Sequence, residues 1–226
     1  MLYSERILSE VLVNRESDVY YNLIKRIFDF VIATLLMVLL FPFLILISIV
    51  IYIETGSTPI FAQQRGITLE GKEFLLYKFR TLRKTKAKRM ESNHIFLKED
   101  LSGLVTFTGY YLRKTGLDEL PQLMNVWMGE MSLIGPRPLS LSDLIIMKEI
   151  ESVLYNRRSS FSSKPGISGY WQIYGDRQKG VMNLIELEGF YDRNKSLTLD
   201  LFLIFMTIPI VFFAKHSDAI IGRNRE

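Results

Sequence analysis

The sequence predicts a mixed α/β, mostly helical domain held to a membrane at both ends. Three observations predict it. An apolar run of 27 residues extends from Ile27 to Ile53, interrupted only by Asp29, Thr34, Pro42 and Ser48. A charged middle follows, in which short strand-like and helix-like segments alternate. A second apolar stretch then runs from Leu197 to Ala214. A run as long and apolar as the first reads as membrane-embedded. It starts too late, is too long and lacks the small-residue cleavage site of a secretory leader.

As a straight helix the first run would be about 40 Å long, enough for a hydrocarbon core of about 30 Å. Pro42 sits near its middle and predicts a kink, because proline removes a helical hydrogen bond and crowds the preceding turn. The two arms then measure about 22 Å and about 16 Å, and neither spans alone. Lys25 and Arg26 precede the run, and seven basic residues in twelve follow it from Lys78 to Arg89. Positive charge favours the cytoplasmic side, and a single span cannot put both groups there. Two topologies stay open on these features: a re-entrant hairpin bent at Pro42, and one kinked span.

In the polar middle, PIFAQQ and EFLLYKFRTL read as strands separated by a glycine-containing turn. LDELPQLMNVWMG reads as one amphipathic helix, with Leu120, Leu123, Met124 and Trp127 on a face and Gly129 as its stop. MSLIGPRP is a strand entering a rigid turn, LSLSDLIIMKEIESVLYNRR a second helix, and SSKPGISGYWQIYG a Gly/Pro-rich loop. The last apolar stretch contains Asp200 and Pro209 and has basic residues at both ends. An acid is costly at membrane depth, so this stretch reads as interfacial or partly buried in protein.

Composition narrows the chemistry. The chain has 226 residues, 48% hydrophobic and 23% charged, which excludes a disordered chain and a conventional many-span protein. With no cysteine there is no disulfide framework, thiolate metal site or cysteine nucleophile. The net charge of +4 matters only through its clustering. The basic run is most simply a solvated face or a contact to anionic headgroups. It lies beside a membrane segment with little aromatic interleaving, which argues against a nucleic-acid partner. His94 and His216 have no ligand spacing, and Tyr170 and Trp171, which could stack on a base, read first as core or interface aromatics.

Two features carry chemistry. Asp118 and Glu119 stand side by side at the start of the LDELPQL helix. Asp118 suits an N-cap, which is a purely structural reading. The same position also favours an ionised carboxylate able to act as nucleophile, beside a second one able to hold Mg²⁺ with substrate phosphate oxygens. Arg137 is fixed between Pro136 and Pro138, and Arg113 lies five residues before Asp118. A guanidinium on a rigid turn suits bidentate phosphate recognition.

These pieces occur in an order that resembles the bacterial sugar transferase family, the small monotopic phosphoglycosyl transferases. The resemblance rests on KRIFD (Lys25–Asp29), the proline-broken helix, YKFRT (Tyr77–Thr81), LRKTGLDELPQLMNVWMGEMSLIGPRP (Leu112–Pro138), KPGISGYWQIYG (Lys164–Gly175) and SLTLDL (Ser196–Leu201). It covers roughly residues 20 to 215. It implies transfer of a sugar-1-phosphate from a UDP-sugar to undecaprenyl or another polyprenyl phosphate, with release of UMP. Such a step initiates exopolysaccharide, lipopolysaccharide, capsule or glycoprotein synthesis at the bacterial inner membrane. The family's nucleophile falls on Asp118 and its Mg²⁺-holding glutamate on Glu119. Arg113 and Arg137, flanked by Pro136 and Pro138, fall on residues that engage the diphosphate, with Lys78 and Arg80 as further phosphate contacts. The resemblance also implies the re-entrant hairpin. A catalytically degenerate scaffold of the same fold is the alternative, and a homodimer is compatible with either. The expected boundaries are 1–24 for an N-terminal extension, 25–53 for the re-entrant helix, 54–196 for the cytoplasmic catalytic domain, and 197–226 for the interfacial helix and tail. Glu188 stands where the family usually has aspartate, Lys195 replaces a common tryptophan, and Phe41 precedes the proline.

Overall fold

The computed structural model describes residues 3–71, 73–83 and 103–212. The basic residues Lys84 to Arg89 and the charged segment up to residue 100 lie outside the described residues. Mostly helical, the chain opens with α1 (Tyr3–Thr55), whose apolar part from Val19 is long enough to cross a membrane. The helix continues through Pro42. Ser48 and Thr55 satisfy local carbonyls, their hydroxyls donating to Leu44 O and Ile51 O at 2.7 Å. From Val19 onward most of the apolar side chains of α1 are exposed, among them Ile27, Val38, Leu39, Phe41 and Ile53.

Strands β1 (Ile60–Gly66) and β2 (Phe74–Phe79) form an antiparallel hairpin, and β4 (Leu139–Ser140) adds to the other edge of β1 with Arg65 opposite Ser140. Helix α2 (Phe107–Thr115) leads into a 3₁₀ turn (Leu117–Gln122) and then α3 (Leu123–Met128). The segment read as one amphipathic helix is therefore split. Pro121 lacks the amide proton an α-helix would use, so its first half tightens to 3₁₀ geometry. The buried face also shifts: Leu123 and Val126 enter the core, while Met124 and Trp127 are exposed. Asn125 is fully buried between them, donating to Leu75 O at 2.7 Å and accepting from Tyr77 N at 3.1 Å, which locks α3 to β2.

Strand β3 (Ser132–Ile134) pairs in parallel with β5 (Gly166–Ser168), inside the segment read as a loop. The pairing continues past β3 because Gly135 and Gly166 touch backbone to backbone. A Cβ on Gly135 would lie 2.1 Å from Lys164 O. Helices α4 (Leu141–Ile150) and α5 (Ser152–Ser159) replace the single helix expected, with the break at Glu151. Ser140 and Asp143 form a reciprocal capping box that fixes the start of α4. The short α6 (Tyr170–Tyr174), then α7 (Gly180–Asn194) and α8 (Leu197–Phe212), complete the chain, with Trp171 buried as expected.

Both arms of α1 pack on this one body. Ala33 joins Phe74, Leu76, Leu123 and Leu133 in one apolar cluster, and Ile47 and Ile51 join Phe79 and Leu112 in another. Leu120 packs against both. Asp29 accepts from Ser132 Oγ at 2.7 Å and from Leu133 N at 3.2 Å. At the far end, Glu54 accepts from Phe107 N at 2.6 Å, at the start of α2. Asp200, which looked costly in an apolar stretch, is 1% exposed and fully partnered. Lys25 Nζ lies 2.8 Å from it, and the hydroxyls of Tyr21 and Tyr191 donate to it at 3.0 and 2.7 Å.

Candidate active site

Gly116 sets the position of the acidic pair. It ends α2 and begins the 3₁₀ turn with φ +77°, in the left-handed region that favours glycine. It is also the N-cap, so Asp118 is not the capping residue that one reading of the sequence made it. Asp118 and Glu119 occupy the first turn, where unpaired amide protons favour negative charge. Glu119 is 7% exposed and forms a short ion pair with Lys78 on β2. Arg113, in the last turn of α2, is attracted electrostatically by Asp118, and its Nη1 is buried with no hydrogen-bond partner.

Burial pushes the Asp118 carboxyl up to about 6, with the neighbouring Glu119 charge adding to it and Lys78 and Arg113 opposing. A carboxylate tuned this way is ionised at neutral pH yet poorly solvated. Burial lowers Arg113, against the pull of Asp118. Four of the expected residues, Asp118, Glu119, Lys78 and Arg113, are thus gathered into one charge cluster.

Arg137 also reaches this place, lining with Lys78 and Glu119 a small polar cleft that Pro138 closes on one side. Pro136 serves the backbone, its carbonyl accepting from Gly166 N at 2.9 Å. Arg80 is placed differently: it holds Thr58, with Nε donating to Thr58 O at 2.8 Å and Nη2 to Thr58 Oγ1 at 3.1 Å. These bonds tie it to the loop between α1 and β1.

Several residues in or behind the cleft were not singled out from sequence. Arg65, Gln122 and Gln172 share its lining. Behind it, Arg158 (0% exposed) and Glu188 (1% exposed) form a buried ion pair. Glu188 Oε1 accepts from Arg137 N at 2.6 Å, and Arg158 Nη2 donates to Arg137 O. Arg158 Nε also donates to Ile67 O at 2.8 Å, gripping the turn after β1. The doubtful Glu188 is thus committed to bracing the Pro136–Pro138 turn from behind. The spacing of 30 residues between Arg158 and Glu188 gave no local signal for this.

A separate cavity of about 330 Å³ opens beside the acidic pair. Its walls are apolar, from Ile32 and Leu36 of α1, Leu117 and Leu120 of the 3₁₀ turn, and Ile204 and Ile208 of α8, and Glu119 stands in its lining. The site therefore has two approaches, a cationic cleft and an oily groove beside α1, and Glu119 borders both. No group of three or more His, Asp or Glu suited to a metal occurs among the described residues. Two carboxylates in a first helical turn still suit Mg²⁺, which takes one or two carboxylates and completes its shell with water and phosphate oxygens.

The family model described as bacterial sugar transferase matches residues 20–214. The exopolysaccharide production protein ExoY of Sinorhizobium fredii is 35% identical over 210 residues, covering 85% of this chain and 87% of the relative. The UDP-galactose-lipid carrier transferase of Erwinia amylovora is 35% identical over 201 residues. The UDP-glucose:undecaprenyl-phosphate glucose-1-phosphate transferase of Klebsiella pneumoniae is 33% identical over 199. The chain spans only 40% and 41% of the length of these last two. With the family's match running from residue 20 in α1 through the whole of α8, this chain belongs to the bacterial sugar transferase family.

Proposed function

We propose that the chain is a membrane-bound phosphoglycosyl transferase that moves a sugar-1-phosphate from a UDP-sugar to a polyprenyl phosphate, with Asp118 as the covalent relay. The observation that carries this reading is that Glu119, the neighbour of Asp118, lines both a cationic cleft and an apolar groove. The mouth of the cleft suits a phosphate of the donor, and a prenyl chain suits the groove. The relatives named as undecaprenyl-phosphate sugar-1-phosphate transferases use this donor and acceptor class.

The reaction divides in two. In the first half, an Asp118 carboxylate oxygen attacks the β-phosphorus of the UDP-sugar. The bond from that phosphorus to the bridging oxygen breaks, and UMP leaves with the electron pair. Arg113, Arg137 and Lys78 are placed to offset the charge growing on the diphosphate, the main catalytic task in phosphoryl transfer. In the second half, a phosphate oxygen of the acceptor attacks the same phosphorus, and the bond to Asp118 breaks. Asp118 and Glu119 would hold Mg²⁺, which when bound supplies further positive charge to the diphosphate. The partial burial of Asp118 keeps it reactive as a nucleophile and keeps bulk water from the acyl phosphate.

A monotopic arrangement fits the same reading. Lys25 and Asp29 near one end of the apolar run, and Ile47, Ile51 and Glu54 near the other, contact the same polar domain, which supports a helix that enters and leaves on one face. Domain limits of 25–53, 54–196 and 197–226 follow from it, with the catalytic domain on the cytoplasmic face of the inner membrane. Single cysteines replacing Asn22 and Ser57 should then label from the same side, and labelling from opposite faces would establish a span. The reaction itself is tested by UMP release from a panel of UDP-sugars with undecaprenyl phosphate and Mg²⁺. At least one donor should turn over with the wild type and none with Asp118→Asn; near-normal turnover in that variant would remove Asp118 from the mechanism.

A further inference from the structure

We propose that Arg65 is a further ligand for the donor's phosphates, completing with Lys78 and Arg137 a three-cation cradle beside Glu119; this role rests on the reading above.

The backbone of Arg65 is fixed in β1, paired with Ser140 of β4, so its side chain has one defined direction. It enters the same cleft as Lys78, Glu119, Gln122, Arg137 and Gln172. There it is poorly served by the protein. Nη2 donates to the neutral Gln63 Oε1 at 2.8 Å, and Nη1 makes only a long contact of 3.5 Å to Pro138 O. The nearest carboxylate, Asp143, is 4.0 Å away and already occupied in the capping box of α4. Nε is buried with no hydrogen-bond partner.

Burying a guanidinium without full partners is unfavourable, and an orphaned donor in a native protein calls for a ligand. Here the neighbouring charge sharpens the demand. Arg137 repels Arg65 across the cleft, and burial with that repulsion pushes Arg65 down to about 10. Asp143 and Glu119, the latter ion-paired to Lys78, oppose that shift without reversing it. The missing partner is therefore an anion with several oxygens. The cleft itself has a volume of about 10 Å³, room for about one water or one phosphate oxygen. A phosphate at its mouth would place one oxygen among Arg65, Lys78 and Arg137. The brace of Arg158 serves both ends of this cradle, since it holds Arg137 O and also Ile67 O, two residues beyond Arg65.

The test uses the full chain in detergent, titrated with UMP and with uridine. Arg65→Gln should weaken UMP binding ten- to hundred-fold, the range for losing charge-assisted phosphate bonds. It should leave uridine affinity unchanged, because uridine offers no phosphate. Arg65→Met puts an apolar chain in the same slot and carries the same expectation if the glutamine variant does not fold. Equal UMP affinity in variant and wild type would overturn the role of Arg65 alone. Equal losses for UMP and uridine would also overturn it, marking a purely structural residue. A wild type that binds no UMP would bring down the reading of the whole site.

Discussion

Lys78→Met gives the sharpest test of the site's electrostatics. Lys78 is the ion-pair partner of Glu119 and the strongest influence holding the Asp118 carboxyl down. With it in place, Asp118 sits at about 6. An opposite charge at such range moves a carboxyl by about one to three pH units, so its removal should raise Asp118 by that amount. At pH 7.5 the ionised fraction would fall from about 97% to between about 76% and about 3%. The loss of a phosphate contact lowers the plateau as well, so the position of the acid limb is the informative quantity. The assay is kcat/KM for UDP-sugar, followed by UMP release from about pH 5 to about pH 9.5, which reports groups of the free enzyme. Wild type should lose activity as pH falls through about 6, and the variant at higher pH. An acid limb that stays put, or moves down, would refute the coupling between Lys78 and Asp118.

Three further outcomes follow from the same geometry. Asp118→Asn should stabilise the folded chain at pH 7.5, because a carboxyl raised to about 6 destabilises the native state wherever it is charged. The gain is at most about 3 kcal/mol, nearer 1–2 after solvent screening, and thermal melts should show it fading between about pH 6 and about pH 4. Glu188→Gln leaves Arg158 buried without its counter-charge, so stability should fall by about 3–5 kcal/mol in melts, with KM for the UDP-sugar rising as the Arg137 turn loosens. Leu36→Trp should obstruct the apolar groove and raise KM for the polyprenyl phosphate about tenfold, about 1.4 kcal/mol, while single-turnover formation of the covalent intermediate stays intact. Loss of that first half-reaction in the tryptophan variant would separate the groove from the acceptor.

What was legible in the sequence was local. The acidic pair, Arg113 and the proline-flanked Arg137 are short-range features, and each sits in one charge cluster or its adjoining cleft. The long apolar helix declared itself by length and composition. Features built from distant residues stayed hidden. Asp200 looked like an isolated acid in an apolar stretch until Lys25, 175 positions away, was found beside it. Glu188 looked like a weakened site residue, yet its partners Arg158 and Arg137 make it a brace. Arg65 carried no motif beyond a strand ending, because its place depends on the pairing of β1 with β4. The Gly/Pro-rich segment concealed β5, since its strand character comes from the close approach of Gly135 and Gly166 rather than from side-chain pattern. The single-helix reading of the LDELPQL segment failed at Pro121, where backbone chemistry outweighed apolar periodicity.

The central claim is a covalent bond between the sugar phosphate and Asp118. Intact-mass measurement of the full chain, incubated with UDP-sugar and Mg²⁺ but no acceptor, tests it directly. The account predicts a mass increase equal to one phosphosugar with release of one UMP. The adduct should map to the peptide holding Asp118, vanish when polyprenyl phosphate is added, and be absent from Asp118→Asn. UMP released only when acceptor is present, with the protein mass unchanged throughout, would contradict it.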